Sequence, residues 1–183
     1  TSFDVQNSFN STYPVLLDFD KDGLLDLICF SSSIEIFYND GNGKFLDGIT
    51  LAHINRPETD WLHSMALGDA DNDGDMDVYC GFTRGIAKNA LFINTGDSLE
   101  QVDENHITLS DTAMATSANW VDFDNDGFLD IVYEGTNFFT NILRVYKNEG
   151  NETFTKKLSI DYLSNYYNNN LDPGDIDNDG DVD

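Results

Sequence analysis

The chain has 183 residues, with 34 Asp and Glu against 9 Lys and Arg, a formal charge of −25. A surface so negative repels phosphate backbones and anionic lipid, which disfavours nucleic acid and anionic membrane surfaces as partners. With 40% hydrophobic and 13% aromatic residues the chain can still bury a core, and no apolar run reaches the length of a membrane span.

In chain order, the first short apolar run is Val15-Leu16-Leu17, and it leads into the string DFDKDGLLD from Asp18 to Asp26. The next run, Leu27 to Phe30, is apolar at every position and reads as a strand buried on both faces. The acidic string therefore joins two strands as a hairpin. A third run, Ile34 to Tyr38, meets Asn39-Asp40-Gly41-Asn42-Gly43, a strong turn because Asn and Gly tolerate left-handed backbone. Phe45 and then Ile49-Thr50-Leu51 supply a fourth strand.

The sequence then repeats itself. Met65-Ala66-Leu67 precedes DADNDGDMD (Asp69 to Asp77), followed by Val78 to Cys80, Ala90 to Ile93, the turn at Asn94-Thr95-Gly96-Asp97, Leu99, and Ile107-Thr108-Leu109. Trp120-Val121 precedes DFDNDGFLD (Asp122 to Asp130), followed by Ile131 to Tyr133, Ile142 to Tyr146, the turn at Asn148-Glu149-Gly150-Asn151, Phe154, and Leu158-Ser159-Ile160. A fourth acidic string, DIDNDGDVD, runs from Asp175 to Asp183. The strings start at 18, 69, 122 and 175, a period of about 52 residues, which is the signature of a repeat array. Four short antiparallel strands per period is the size of a propeller blade. The expected fold is all-β, a partial β-propeller of about three and a half four-stranded blades, with residues 1–183 forming one segment of a longer ring.

Each acidic string reads D-x-D-x-D-G-x-x-D, the arrangement of a loop that wraps oxygens around a hard cation. Side chains at positions 1, 3 and 5 can turn inward, Gly at 6 permits positive φ, position 7 offers a backbone carbonyl, and Asp at 9 closes the shell. The expected ligands are Asp18, Asp20, Asp22, Leu24 and Asp26; Asp69, Asp71, Asp73, Asp75 and Asp77; Asp122, Asp124, Asp126, Phe128 and Asp130; and Asp175, Asp177, Asp179, Asp181 and Asp183. Ca²⁺ accepts six to eight oxygens in flexible geometry, whereas Mg²⁺ demands a near-ideal octahedron, so up to four Ca²⁺ ions are expected. Without an ion, carboxylates about 4 Å apart repel by about 4 kcal/mol per pair at the effective dielectric of a protein surface. An EF-hand is excluded, because its bidentate Glu at position 12 is replaced by Cys29, Cys80 and Tyr133, and the flanks are strand-like. Cys29 and Cys80 hold equivalent places in neighbouring repeats and read as buried apolar side chains, not as a disulfide.

The D-x-D-x-D-G-x-x-D loops, each followed by an apolar strand, and the N-x-G-x-G-x-F hairpin of Asn39 to Phe45, with looser echoes at Asn94 and Asn148, resemble the FG-GAP or VCBS repeats of extracellular β-propellers, related to the integrin α-subunit head. The resemblance implies Ca²⁺ in the blade hairpins and a secreted or cell-surface protein that serves adhesion or ligand binding. It also implies further blades that complete the ring.

Three functions follow as expectations: a calcium-stabilised module that binds a protein or glycan without catalysis, a carbohydrate-active enzyme such as a polysaccharide lyase, or a purely architectural repeat. The face opposite the ion loops carries Arg56, Trp61, His63, Arg84, Lys88, Phe138, Phe139, Tyr162, Tyr166 and Tyr167, aromatics that either meet a partner or pack between blades. A lyase needs acid or base residues near the central opening, for which Arg56, His63 and Arg84 are the candidates. No Ser-nucleophile elbow, phosphate loop or dinucleotide fingerprint occurs, and the three His residues share no repeat position, which argues against zinc.

Overall fold

The structure, a computed structural model, describes residues 13–55, 61–82, 88–103, 113–137, 139–150, 153–163, 171–175 and 177. Among these every regular element is a strand, and no helix is long and apolar enough to cross a membrane. The strands form three four-stranded antiparallel meanders, each in sequence order, consistent with propeller blades.

The chain divides into two compact units, residues 1–55 and 56–183. The first holds one sheet: β1 (Tyr13–Leu17), β2 (Asp26–Phe30), β3 (Ser33–Phe37) and β4 (Ile49–His53). Leu17 pairs with Asp26 across the acidic hairpin, and Leu27 pairs with Phe37 on the far side of β2. Ile28, Phe30, Ile34 and Ile36 are its fully buried centre. The fourth strand begins at Ile49; Phe45 makes only an isolated bridge to Asn39. Gly48 explains the interruption, because a Cβ there would lie 2.6 Å from the Phe37 ring. The chain thus passes flat over that ring before pairing resumes.

The second unit holds two sheets: β5 (Leu62–Gly68), β6 (Asp77–Phe82), β7 (Ala90–Asn94) and β8 (Leu99–Gln101), then β9 (Met114–Val121), β10 (Asp130–Thr136), β11 (Asn141–Asn148) and β12 (Phe154–Tyr162). The segment Ile107-Thr108-Leu109, read as strand in the sequence, lies outside the described residues. β6 and β10 are buried at every position, the polar Asp77, Asp130, Glu134 and Thr136 included, whereas β12 is largely exposed.

The two sheets share one core. Tyr79 stacks on Tyr133 at 6.4 Å between ring centroids and Tyr133 on Tyr146 at 6.0 Å, with Ala66, Leu91, Ala115, Ile131 and Phe154 packed around them. Small residues let the leading strands approach closely. A Cβ on Gly68 would meet the Trp120 ring at 2.6 Å, and one on Gly81 would lie 2.6 Å from the Ala115 Cβ. Ser64 Oγ donates to the Ala115 carbonyl at 3.0 Å. β9 in turn holds the main chain of the fourth repeat, since Leu171 N–H donates to Ser117 Oγ at 3.2 Å and Asn119 Nδ2 donates to the Leu171 carbonyl. Both leading strands carry a bulge near their start, at His63 in β5 and at Thr116 in β9. Cys29 and Cys80 are buried thiols in β2 and β6, and burial pushes the Cys80 thiol up to about 12.

Candidate metal centres

The acidic strings form the tips between the first and second strands of each sheet, at 18–26, 69–77 and 122–130. Their backbone is wound tightly by two left-handed residues. Gly23, Gly74 and Gly127 at position 6 have φ of 88°, 90° and 90°, and position 4 is left-handed as well: Lys21 at 60°, Asn72 at 62° and Asn125 at 58°. Asn accepts that conformation readily, which accounts for its presence in two of the three.

The wound loop then turns its N–H groups onto its own carboxylates. The position-6 N–H donates to the position-1 carboxylate: Gly23 to Asp18 at 3.0 Å, Gly74 to Asp69 at 2.9 Å, Gly127 to Asp122 at 2.9 Å. The position-7 N–H donates to position 5: Leu24 to Asp22 and Asp75 to Asp73 at 2.8 Å, Phe128 to Asp126 at 3.0 Å. These bonds aim the remaining oxygens at one point. Oxygens of Asp18, Asp20 and Asp22 lie within 4.8 Å of one another, as do those of Asp69, Asp71 and Asp77 and those of Asp122, Asp124 and Asp130. Ligands about 2.4 Å from a Ca²⁺ ion stand up to about 4.8 Å apart, so each trio fits around one such ion. Asp18 Oδ1 and Asp69 Oδ1 are buried and accept no hydrogen bond from the protein, which leaves each oxygen available to a cation or an ordered water.

Asp at position 9 ties each tip to the chain beyond it. Asp77 is fully buried, and its Oδ2 accepts from Ala70 N–H at 2.7 Å while its Oδ1 accepts from Asn94 N–H at 2.8 Å. Asp26 binds Phe19 and Asn39 N–H in the same manner at 3.1 and 2.8 Å, and Asp130 binds Phe123 and Asn148 N–H at 3.0 and 2.7 Å. The Asn is the second half of the tie. Asn39, Asn94 and Asn148 each accept from the Gly two residues on, at 3.0, 2.9 and 3.0 Å, and Asn39 and Asn148 donate to the position-8 carbonyls of Leu25 and Leu129 at 3.1 Å. In the sequence these Asn stand as turn formers; their recurrence at or just past the end of each third strand is the one signal of this second role.

Burial pushes the Asp77 carboxyl up to about 6 against the lowering pull of the Asn94 and Ala70 N–H groups, and it raises Asp20, Asp71 and Asp130 too. A carboxyl raised in the folded state binds more protons there than in the unfolded chain. The calcium-free protein should therefore lose stability as pH rises from about 4 to about 6, the window between the ordinary and the folded Asp77 values. With calcium the slope should invert, because the ion binds the deprotonated form. Thermal melts at pH 4, 5 and 6 in calcium-free and calcium-containing buffer check both signs.

The third loop differs from the others. Lys147, at the end of β11 and only 16% exposed, donates its ammonium to Asp124 Oδ2 and, at 2.5 Å, to Asp126 Oδ2. It holds Asp126 below the usual carboxylate range. Nothing in the sequence marks it, because Tyr38 and Ile93 stand in its place in the other repeats.

Of the fourth string, Asp175 and Asp177 are exposed, and Asp179, Asp181 and Asp183 lie outside the described residues. So do Arg56, Arg84, Phe138, Tyr166 and Tyr167 from the opposite face. Trp61 and Phe139 are exposed, at 56% and 89%. Tyr162 is half-buried and donates its hydroxyl to Glu134, with burial and that carboxylate pushing it up to about 12. His63 sits half-buried on the β5 bulge and Lys88 is exposed.

A family model described as FG-GAP-like repeat matches residues 7–80 and 82–133, more than half of the chain. No curated protein matches the chain.

Proposed function

The chain belongs to the FG-GAP-like repeat family, and on that footing we propose that it is a calcium-stabilised β-propeller segment that works outside the cell, in adhesion or in binding a protein or glycan ligand. The observation that carries the calcium reading is the pair of buried oxygens without a donor, Asp18 Oδ1 and Asp69 Oδ1, each set among converging carboxylates. Asp18, Asp20 and Asp22 would hold one ion, Asp69, Asp71 and Asp77 a second, Asp122, Asp124 and Asp130 a third, and the string from Asp175 a fourth. The bound ion supplies concentrated positive charge that offsets carboxylate repulsion.

The chain's own residues do the rest. Asp26, Asp77 and Asp130 tie each tip to the third strand, so a tip drawn tight by its carboxylates also fixes the Asn-Gly hairpin beside it. The ion's role is architectural, and it leaves the opposite face, with exposed Trp61 and Phe139, to meet a partner. Further blades from the parent polypeptide would complete the ring.

Calorimetric titration of the chain with calcium tests this. Dissociation constants of roughly 10⁻⁴ to 10⁻³ M are expected, and tenfold saturation should add about 1.4 kcal/mol per independent site to the stability. A melting midpoint identical in EDTA and in millimolar calcium would overturn the reading. Calcium-dependent retention on a glycan array or a panel of surface proteins is the expected sign of the ligand role.

A further inference from the structure

We propose that Lys147 is a tethered counter-ion for the loop Asp122–Asp130, which keeps this loop closed without calcium and makes it a much weaker calcium site than Asp18–Asp26 and Asp69–Asp77. The inference rests on the calcium reading above and deepens it.

Two independent features set the third loop apart. Its carboxylates at positions 3 and 5, Asp124 and Asp126, already share one ammonium, that of Lys147. Its position-1 oxygen is also engaged: Asp122 Oδ1 accepts from Asp126 N–H at 3.0 Å, whereas the corresponding Asp18 Oδ1 and Asp69 Oδ1 accept nothing. The lysine does not arrive by chance rotation from solvent. Asn148, the next residue, is fixed to the same loop through its N–H to Asp130 Oδ1 at 2.7 Å and its Nδ2 to the Leu129 carbonyl at 3.1 Å, so the strand delivers the ammonium to the loop. A calcium ion entering here must displace a charge-assisted pair, which it need not do in the other two loops.

The consequence is a division of labour. The Asp18 and Asp69 loops respond to calcium across the extracellular range, while the third stays folded when calcium falls and anchors the sheets of residues 56–183. A tethered cation is also held at high effective concentration beside the loop, so its capture does not depend on the free ion concentration.

Calcium titration of the whole chain with Lys147→Met and, separately, Tyr38→Lys decides the matter. Methionine keeps the length of the stem and removes the charge; it should add one calcium-binding event or tighten the weakest by about tenfold or more, the effect of one charge removed at contact distance. In calcium-free buffer this variant should melt below the wild type, and in saturating calcium it should recover. Tyr38→Lys, which brings a lysine to the half-buried equivalent position of the first loop, should remove or weaken one event by a similar factor. An unchanged isotherm for Lys147→Met overturns the proposal, and so does a variant that stays destabilised in saturating calcium. Should Lys147→Met fail to fold, an unchanged isotherm for Tyr38→Lys overturns it instead. A wild type that binds no calcium at all overturns the calcium reading itself, a result distinct from both.

Discussion

Replacing Asp77 by alanine should cost the folded state about 3 to 5 kcal/mol, in calcium-free buffer as well as with calcium. The side chain is fully buried and its two oxygens serve two strands: one receives Ala70 N–H at the start of the loop, the other receives Asn94 N–H at the end of β7. Alanine leaves both donors buried without acceptors, at about 1 to 3 kcal/mol each, and empties the space between them. Asp77→Asn should lose about half as much, because its amide keeps one acceptor oxygen and turns a donor toward the other N–H. Asp73→Ala is the control: Asp73 is exposed, and its loss should change calcium-free stability by less than about 0.5 kcal/mol while weakening calcium binding. Urea denaturation of the three variants separates the cases. If Asp77→Ala unfolds within 1 kcal/mol of Asp73→Ala, the buried tie does not carry the weight assigned to it.

The second large effect is expected at Gly135, on the bulge where β10 shifts register against β9. A Cβ there would land on the Met114 carbonyl oxygen, 2.9 Å from the Met114 carbonyl carbon and 3.2 Å from the Ala115 Cα. All three are backbone atoms, so no rotamer change relieves the clash, and the strands must part or the bulge must move. Gly135→Ala should destabilise the protein by about 3 kcal/mol, the upper end for an overpacked site. Denaturant unfolding followed by tryptophan fluorescence reads this directly through Trp120 in β9. An alanine variant within about 0.5 kcal/mol of the wild type would show that the bulge relaxes freely.

The parts of the fold legible in the sequence were those with a local cause. A strand buried on both faces carries an unbroken apolar run at its centre, so Leu27 to Phe30, Val78 to Cys80 and Ile131 to Tyr133 announced β2, β6 and β10. The acidic strings announced the hairpin tips because Asp, Asn and Gly at those spacings are needed to wind them. What stayed hidden depends on atoms brought together from separate stretches of chain. Asp26 meets Asn39, Asp77 meets Asn94 and Asp130 meets Asn148 only once the third strand has paired with the second. Lys147 reads in the sequence as one more strand-end lysine, and its place over Asp124 and Asp126 follows from the register of β10 and β11. The left-handed Lys21 gave no warning either, because lysine has no preference for that backbone.

Asn148 Nδ2 also reaches the Ala70 carbonyl of the preceding loop at 2.6 Å, and Asn72 Nδ2 reaches the Gly127 carbonyl of the following one at 3.0 Å. At the far end of the same strands Ser64 grips Ala115. The two sheets of residues 56–183 are thus sewn together at both hems, and traction on one tip is handed to the other before either sheet can peel. Tension applied to either of these two sheets would be shared with the other before their strands part.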